Sequence, residues 1–424
     1  MKPLHELTAA EAASAIAGRQ LTSEELVAAC LARIREREET IGAWTFLDPE
    51  KALEEARSRD RNPVLGSLHG VPVGVKDIID TFDMPTAYGS PIYAGHQPAW
   101  DASCVALVRG AGAVVLGKTV STEFAMFTPG KTTNPHNPGH TPGGSSSGSA
   151  AAVAEAMVPL AFGSQTAGSV IRPASFCGVA GYKATHGEFS LGGIKPLAQS
   201  LDTLGGFARS VEDLVLLRAV LINGSSALSV PEHPPRVGVC RTPQWPHAEP
   251  ATRNALETAA SCLADTGASV EEVSLPPGFD GLVEAQTNIL AFEGARSFRD
   301  ELLRHSELLS AKFIEIFEPG LEMPYVTYAA AVALAEECRR LLDGVFADHD
   351  VLMVPSAPGE APEGLQATGD PIFNRMWTLL HVPAVSLPVH TGPDGLPVGV
   401  QVIGPIGCDD QLLAMAAWME SRIV

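Results

Sequence analysis

The sequence predicts an α/β fold with a largely parallel core sheet, and three observations carry that prediction. Apolar, strand-like runs alternate with helical segments from residue 71 onward. Strand patterns return near the C-terminus, so both ends of the chain can contribute to one sheet. Hydrophobic residues make up 45% of 424 residues, enough for a large buried core. Length alone admits one to three domains. The shared sheet and the lack of an internal repeat favour a single domain over residues 1–424.

Two helices open the chain. Thr8 with Glu11, and Thr22 with Glu25, each fit a capping box ahead of an apolar-periodic segment. The second helix covers LVAACLARIRER, and an amphipathic pair of this kind packs on the outside of a domain. GVPVGVKD reads as a strand ending at Lys76, DASCVALVRGAG as a helix and AVVLGKT as the next strand. A polar, Pro/Gly-rich loop runs from Pro129 to Gly144. SAAAVAEAM is helical and VPLAFG is a short strand. RSVEDLVLLRAVL reads as a helix, and INGSSALSVPEHPP after it as a linker or long surface loop. RVGVC is a strand, 250–265 a helix, and roughly 283–347 a helix-rich block. VLMVPS and PAVSLPVHTGPDGLPVGVQVIG return to strand, with a hairpin turn at Pro393-Asp394-Gly395.

Composition excludes several functions. The net charge is −20 and no run of Lys or Arg stands out, which argues against nucleic acid or an anionic membrane as partner. Cysteines stand at 30, 104, 177, 240, 262, 338 and 408, an odd number without a CxxC pair. They read as reduced thiols in a cytoplasmic protein, not as disulfides or a zinc site. The N-terminus lacks the basic-then-apolar pattern of a signal peptide. No stretch approaches 18 uninterrupted apolar residues, so no transmembrane helix is expected.

Three pattern matches fail on context. Gly112–Thr119 satisfies the P-loop formula, but its middle residues AVVL prefer strand where a phosphate-cradling loop is needed. Gly144–Gly148 satisfies the nucleophile-elbow formula, but NPHNPGHTPG before it cannot be the required buried strand. His136 and His140 have helical ligand spacing among prolines and glycines, with no acidic third ligand, so no metal site is expected.

The remaining candidates are Lys76, the serine run 145–147 and Ser169. Lys76 ends an apolar strand, where a lysine is ordinarily a solvated cap or pairs with a neighbour such as Asp77. TPGGSSSGSAAAVAEA is a Gly/Ser loop running straight into an Ala-rich helix and a buried strand, which favours a built loop over a linker. SQTAGSVIRPAS is a second small-residue turn, whose Thr166-Ala167-Gly168-Ser169 backbone offers N–H groups to an oxyanion.

GVKD, LGKT, TPGGSSSGSAAAV, QTAGSVIRPASFCGVAGYK and SLDTLG occur in an order that resembles the amidase signature family. The similarity spans a core of about 66–215 and resumes in the C-terminal hairpin and final helix. The resemblance implies a large mixed, mostly parallel central sheet covered by helices on both faces. It also implies a Ser–cis-Ser–Lys triad without cofactor or metal: Ser169 as nucleophile, Ser145 as bridge after a cis Gly144–Ser145 bond, and Lys76 as base. Serine needs a base to become nucleophilic, and lysine serves only when neutral, a form that burial favours.

The chain departs from the common family pattern. The usual acidic residue is Gln165, one glycine is Ala167, and the arginine is shifted to Arg172. SVIRPA resembles malonamidase-type enzymes, which implies that Arg172, with Gly144 nearby, binds a substrate carboxylate. The competing reading is a structural arginine tied to a backbone carbonyl or to Asp202. Trp377 and His381 read as core, and Phe127 and Thr128 as minor pocket candidates. The expected activity is hydrolysis of a small, carboxylate-bearing amide through an acyl-serine, releasing ammonia or an amine. Two alternatives stand beside it: a glutaminase-type subunit of an amidotransferase, and a catalytically silent binding protein. A small-molecule amide is the expected partner, and a homodimer stays open.

Overall fold

Side-chain capping sets where the first two helices begin. Thr8 and Thr22 each accept from the backbone of the glutamate three residues on, and each glutamate returns to the threonine backbone. The computed structural model describes residues 2–227, 231 and 233–424. The segment INGSSALSVPEHPP lies partly outside those residues. The helix before it, Val211–Ile222, ends at Asn223 with a φ of +53°.

Eleven strands among the described residues form one sheet. In chain order they are β1 (Trp44–Leu47), β2 (Pro72–Lys76), β3 (Val114–Thr119), β4 (Leu160–Gln165), β5 (Ala180–Lys183) and β6 (Thr203–Ala208). They continue as β7 (Arg236–Cys240), β8 (Ser269–Val273), β9 (Val351–Pro355), β10 (Ala384–Thr391) and β11 (Pro397–Ile403). The spatial order is β1-β3-β2-β4-β6-β5-β10-β11-β9-β7-β8.

The sheet is mixed, as expected, but its pairing is not mostly parallel: six of the ten ladders are antiparallel and four parallel. Parallel pairs cluster in two wings, β3-β2-β4 and β8-β7-β9, and the middle from β4 to β9 is antiparallel. A parallel return needs a crossover of roughly a dozen residues or more, whereas β10 and β11 are joined by the tight turn at Pro393–Gly395. Strand–helix alternation along a sequence does not reveal which return the chain takes.

The helix-rich block comprises Leu282–Ser297, Arg299–Arg304, Ala311–Glu322 and Tyr325–Phe346. It meets the rest of the protein at Phe124, whose ring centroid lies 4.9 Å from Phe298 and 5.5 Å from Phe313. Nearer the sheet, the helix Ser147–Ala154 packs on β2, β3 and β4, and Ile171–Cys177 packs on β5, β10 and β11. These two short helices bring the Gly/Ser loop and the 166–169 turn to the C-terminal end of β2. Among the described residues, no helix is long and apolar enough to cross a membrane.

Candidate active site

β2 runs between β3 and β4 and carries Lys76 at its last position, fully buried. Its Nζ lies 2.7 Å from Ser145 Oγ and 2.9 Å from Ser164 Oγ. Burial pushes the Lys76 ammonium well below the usual lysine range, and the Asp202 carboxylate opposes that shift. A neutral amine between two hydroxyls has a lone pair for one of them. Asp77, the ordinary partner for such a lysine, turns instead to Lys118, at 3.7 Å.

The serine run divides by hydrogen bonding. Ser146 Oγ donates to the Ser164 carbonyl and accepts from its N–H, both at 3.3 Å. Ser147 Oγ donates to the Gly143 carbonyl at 2.9 Å. Both are fixed to backbone, so the central serine of the elbow formula, Ser146, is occupied in holding β4. Ser145, which follows a cis Gly144–Ser145 peptide bond, is the one bonded to Lys76.

The 166–169 turn is held from outside. Gln286 Nε2 donates to the Thr166 carbonyl at 3.0 Å, and Thr378 Oγ1 to the Ala167 carbonyl at 2.7 Å. Gln165 Oε1 accepts from the N–H groups of Val170 and Ile171 at 2.9 and 3.0 Å, and its Nε2 donates to Thr378. The amide thus caps the helix that follows, where the common pattern has an acid. The N–H groups of Thr166, Ala167, Gly168 and Ser169 bond no other described group. Gly168 must be glycine here: a Cβ would stand 2.4 Å from Asn374 Oδ1 and 2.9 Å from Pro371 Cβ.

Ser169 lines a narrow cleft of about 10 Å³ with Arg172, Phe127, Leu290 and Pro371. Arg172 is 2% exposed. Its Nη2 donates to the Gly144 carbonyl at 2.8 Å and to Thr368 Oγ1 at 3.1 Å. The guanidinium therefore ties down the loop that carries Ser145. Its Nε and Nη1 have no partner among the described residues. Burial lowers its pKa to about 9, opposed by Asp370. Asp202, named as a possible partner, accepts from Thr166 Oγ1 at 2.6 Å and from the N–H groups of Leu197 and Ala198.

The other candidates fall outside this cluster. Lys118 is a buried strand residue that donates to Ile79 and Thr86, so the P-loop match is core. His136 and His140 meet the carbonyls of Cys177 and Ala361 respectively, and no three His, Cys, Asp or Glu among the described residues are placed to hold a metal. Trp377 is buried, His381 stacks on His186 at 4.0 Å, and Thr128 bonds Ser310. Phe127 does line the cleft. Sequence reasoning missed Ser164 and the bracing by Gln286 and Thr378. The one available signal for Ser164 was a polar residue inside the apolar strand that neighbours Lys76.

Comparison with known proteins shows the family and the fold. The chain is 36% identical to a glutamyl-tRNA(Gln) amidotransferase subunit from Chloroflexus aggregans (strain MD-66 / DSM 9485), over 95% of this chain and 94% of that protein. A crystal structure described as an amidase superposes with a TM-score of 0.91 at 32% identity, covering 99% of this chain and 100% of the other. The peptide amidase of Stenotrophomonas maltophilia superposes with a TM-score of 0.83 at 30% identity, covering 99% and 98%. Residues 25–413, which include Lys76, Ser145 and Ser169, match the family model described as Amidase, so this amide-cleaving enzyme belongs to the amidase family.

Proposed function

We propose that the chain, as a single domain over residues 1–424, hydrolyses a small amide through an acyl-enzyme on Ser169. The observation that carries this reading is the fully buried Lys76 with its Nζ 2.7 Å from Ser145 Oγ. Neutral Lys76 takes the proton of Ser169 through Ser145, and Ser169 Oγ attacks the amide carbon. The N–H groups of the 166–169 turn receive the developing oxyanion. The relay then protonates the nitrogen as the C–N bond breaks, and water repeats the sequence to release the acid. Mass spectrometry of a quenched turnover mixture tests this: the acyl group belongs on the peptide containing Ser169. An adduct on Ser145, Ser146 or Ser147 refutes the assignment.

The acyl half is small and carries a carboxylate that Arg172 recognises. The support is that two buried nitrogens of Arg172, Nε and Nη1, have no partner among the described residues, beside the cleft that Arg172 lines. A buried unpaired donor costs about 1–3 kcal/mol, a penalty an incoming anion removes. Arg172→Ala should cut kcat/KM on malonamate far more than on acetamide; an unchanged ratio between the two sinks this part. A second reading, a glutaminase-type subunit of an amidotransferase, is favoured by the 36% identity to the Chloroflexus aggregans protein. It requires that the isolated chain stay inactive until a partner is added.

A further inference from the structure

We infer that the amine half of the substrate occupies the cavity lined by Ile78, Leu191, Ile194, Leu197, Ser164 and Asp202, so that the product released is an N-alkyl or N-aryl amine and not ammonia. The inference rests on the proposed acyl-enzyme route and settles a question that route leaves open, the identity of the leaving group.

The direction of proton delivery places the leaving nitrogen. A nitrogen departing from a tetrahedral intermediate needs a proton, and the group able to return one is Lys76 with its hydroxyl partners. One of those partners, Ser164, is part of the wall of this cavity. Ser169 and Arg172 line the other cleft, and the two spaces meet along Ala125, Thr166 and Leu197. The carbonyl carbon lies at that junction, with the acyl half on the Arg172 side and the nitrogen on the Lys76–Ser164 side.

Size and chemistry then select the amine. The cavity is about 220 Å³, whereas the cleft at Ser169, at about 10 Å³, must widen to admit the acyl group. On this measure one water-sized molecule needs roughly 10–15 Å³, so ammonia would leave most of the space unfilled. Ile78, Leu191, Ile194 and Leu197 present aliphatic surface. The buried polar groups beside them are already engaged: Thr166 Oγ1 on Asp202, Thr203 Oγ1 on the Leu201 carbonyl, and both Asp202 oxygens on Thr166 or backbone N–H groups, while Gln199, also in the lining, is exposed to solvent. Lys195 reaches the cavity too, but its Nζ is 2.6 Å from Glu301 Oε1 and 4.7 Å over the Tyr93 ring. The remaining recognition is apolar contact, where one methylene in a fitted pocket is worth roughly 10-fold or more in kcat/KM. The reaction balances without a further reagent. Ser169 Oγ–C forms, C–N breaks, the Ser169 proton ends on the amine, and water replaces it in deacylation.

The experiment uses the purified full chain and two matched pairs, malonamate with N-butylmalonamate and acetamide with N-butylacetamide. Within at least one pair, the N-butyl amide should exceed the primary amide at least tenfold in kcat/KM. Leu191→Trp should collapse that ratio by filling the cavity. Ile194→Ala, which carries less risk to folding, should move the preference toward a longer N-alkyl chain. Cleavage of at least one amide with no N-butyl preference of tenfold in either pair overturns the inference while leaving the acyl-enzyme reading intact. So does a ratio unmoved in both variants. Failure to cleave any of the four amides refutes the acyl-enzyme reading, and this inference with it.

Discussion

Adding one methyl group at Gly168 tests the 166–169 turn without removing any polar atom. The new Cβ would stand 2.4 Å from Asn374 Oδ1 and 2.9 Å from both Asn374 Cγ and Pro371 Cβ. Ordinary carbon contacts begin near 3.4 Å, so about 1 Å of movement is required. The opposing side is stiff. Asn374 is fully buried on the helix Ile372–Leu379 and donates to the Ser356 carbonyl at 2.9 Å, and the Pro371 ring cannot rotate away. The turn therefore gives way, and a displacement of about 1 Å costs on the order of 100-fold in rate. Losing one oxyanion donor outright costs about 2.7–4 kcal/mol in the transition state. Gly168→Ala should thus lower kcat on N-butylmalonamate by about 100-fold, with KM little changed and a cooperative melt preserved. Asn374→Ala in the same chain removes the two closest atoms and should recover at least tenfold of that loss. A Gly168→Ala enzyme with wild-type kcat and an intact fold refutes the oxyanion assignment. So does a defect that Asn374→Ala leaves untouched.

Other outcomes follow from the same contacts. Ser145→Ala should lower kcat more than Ser164→Ala, because the proposed relay between Lys76 and Ser169 runs through Ser145 alone; equal losses in steady-state rates would place the relay through Ser164 as well. Because the folded-state pKa of Lys76 is lowered, kcat/KM should fall tenfold per pH unit once the pH drops below that lowered value. The same shift sets a stability sign. Folded Lys76 binds fewer protons than unfolded Lys76 between its lowered pKa and the ordinary value near 10.4, so its effect on stability improves as pH rises through that window. The difference in unfolding free energy between wild type and Lys76→Met should therefore shift in favour of wild type with rising pH, measured by urea titration at several pH values. Gln165→Ala removes the acceptor for two N–H groups at the start of a buried helix and should cost about 1–3 kcal/mol in urea unfolding.

Much of the fold was legible because it is locally encoded. The capping boxes at Thr8 and Thr22, the helix Pro250–Asp265 and the hairpin at Pro393–Gly395 depend on residues within a few positions of one another. β5 and β6 were not legible. AGYK and TLGGFA carry too little side chain to announce a strand, and they extend because β4 and β10 hold them on either side. The same limit hid the antiparallel middle of the sheet.

The candidate site divides in the same way. Ordered motifs singled out the candidates: Lys76, Ser145, Ser169, the 166–169 turn and Arg172 are all present in the string of letters. Only the tertiary structure decided what each one touches. It joined Lys76 to Ser145 across 69 positions and to Ser164 across 88, and it gave Asp77 to Lys118 and Asp202 to Thr166. It used one nitrogen of Arg172 on Gly144 and Thr368 and left two without partners among the described residues. The physical reason is burial. A lysine or arginine is named by sequence, but its protonation and its unpaired donors depend on how completely distant segments exclude water from it.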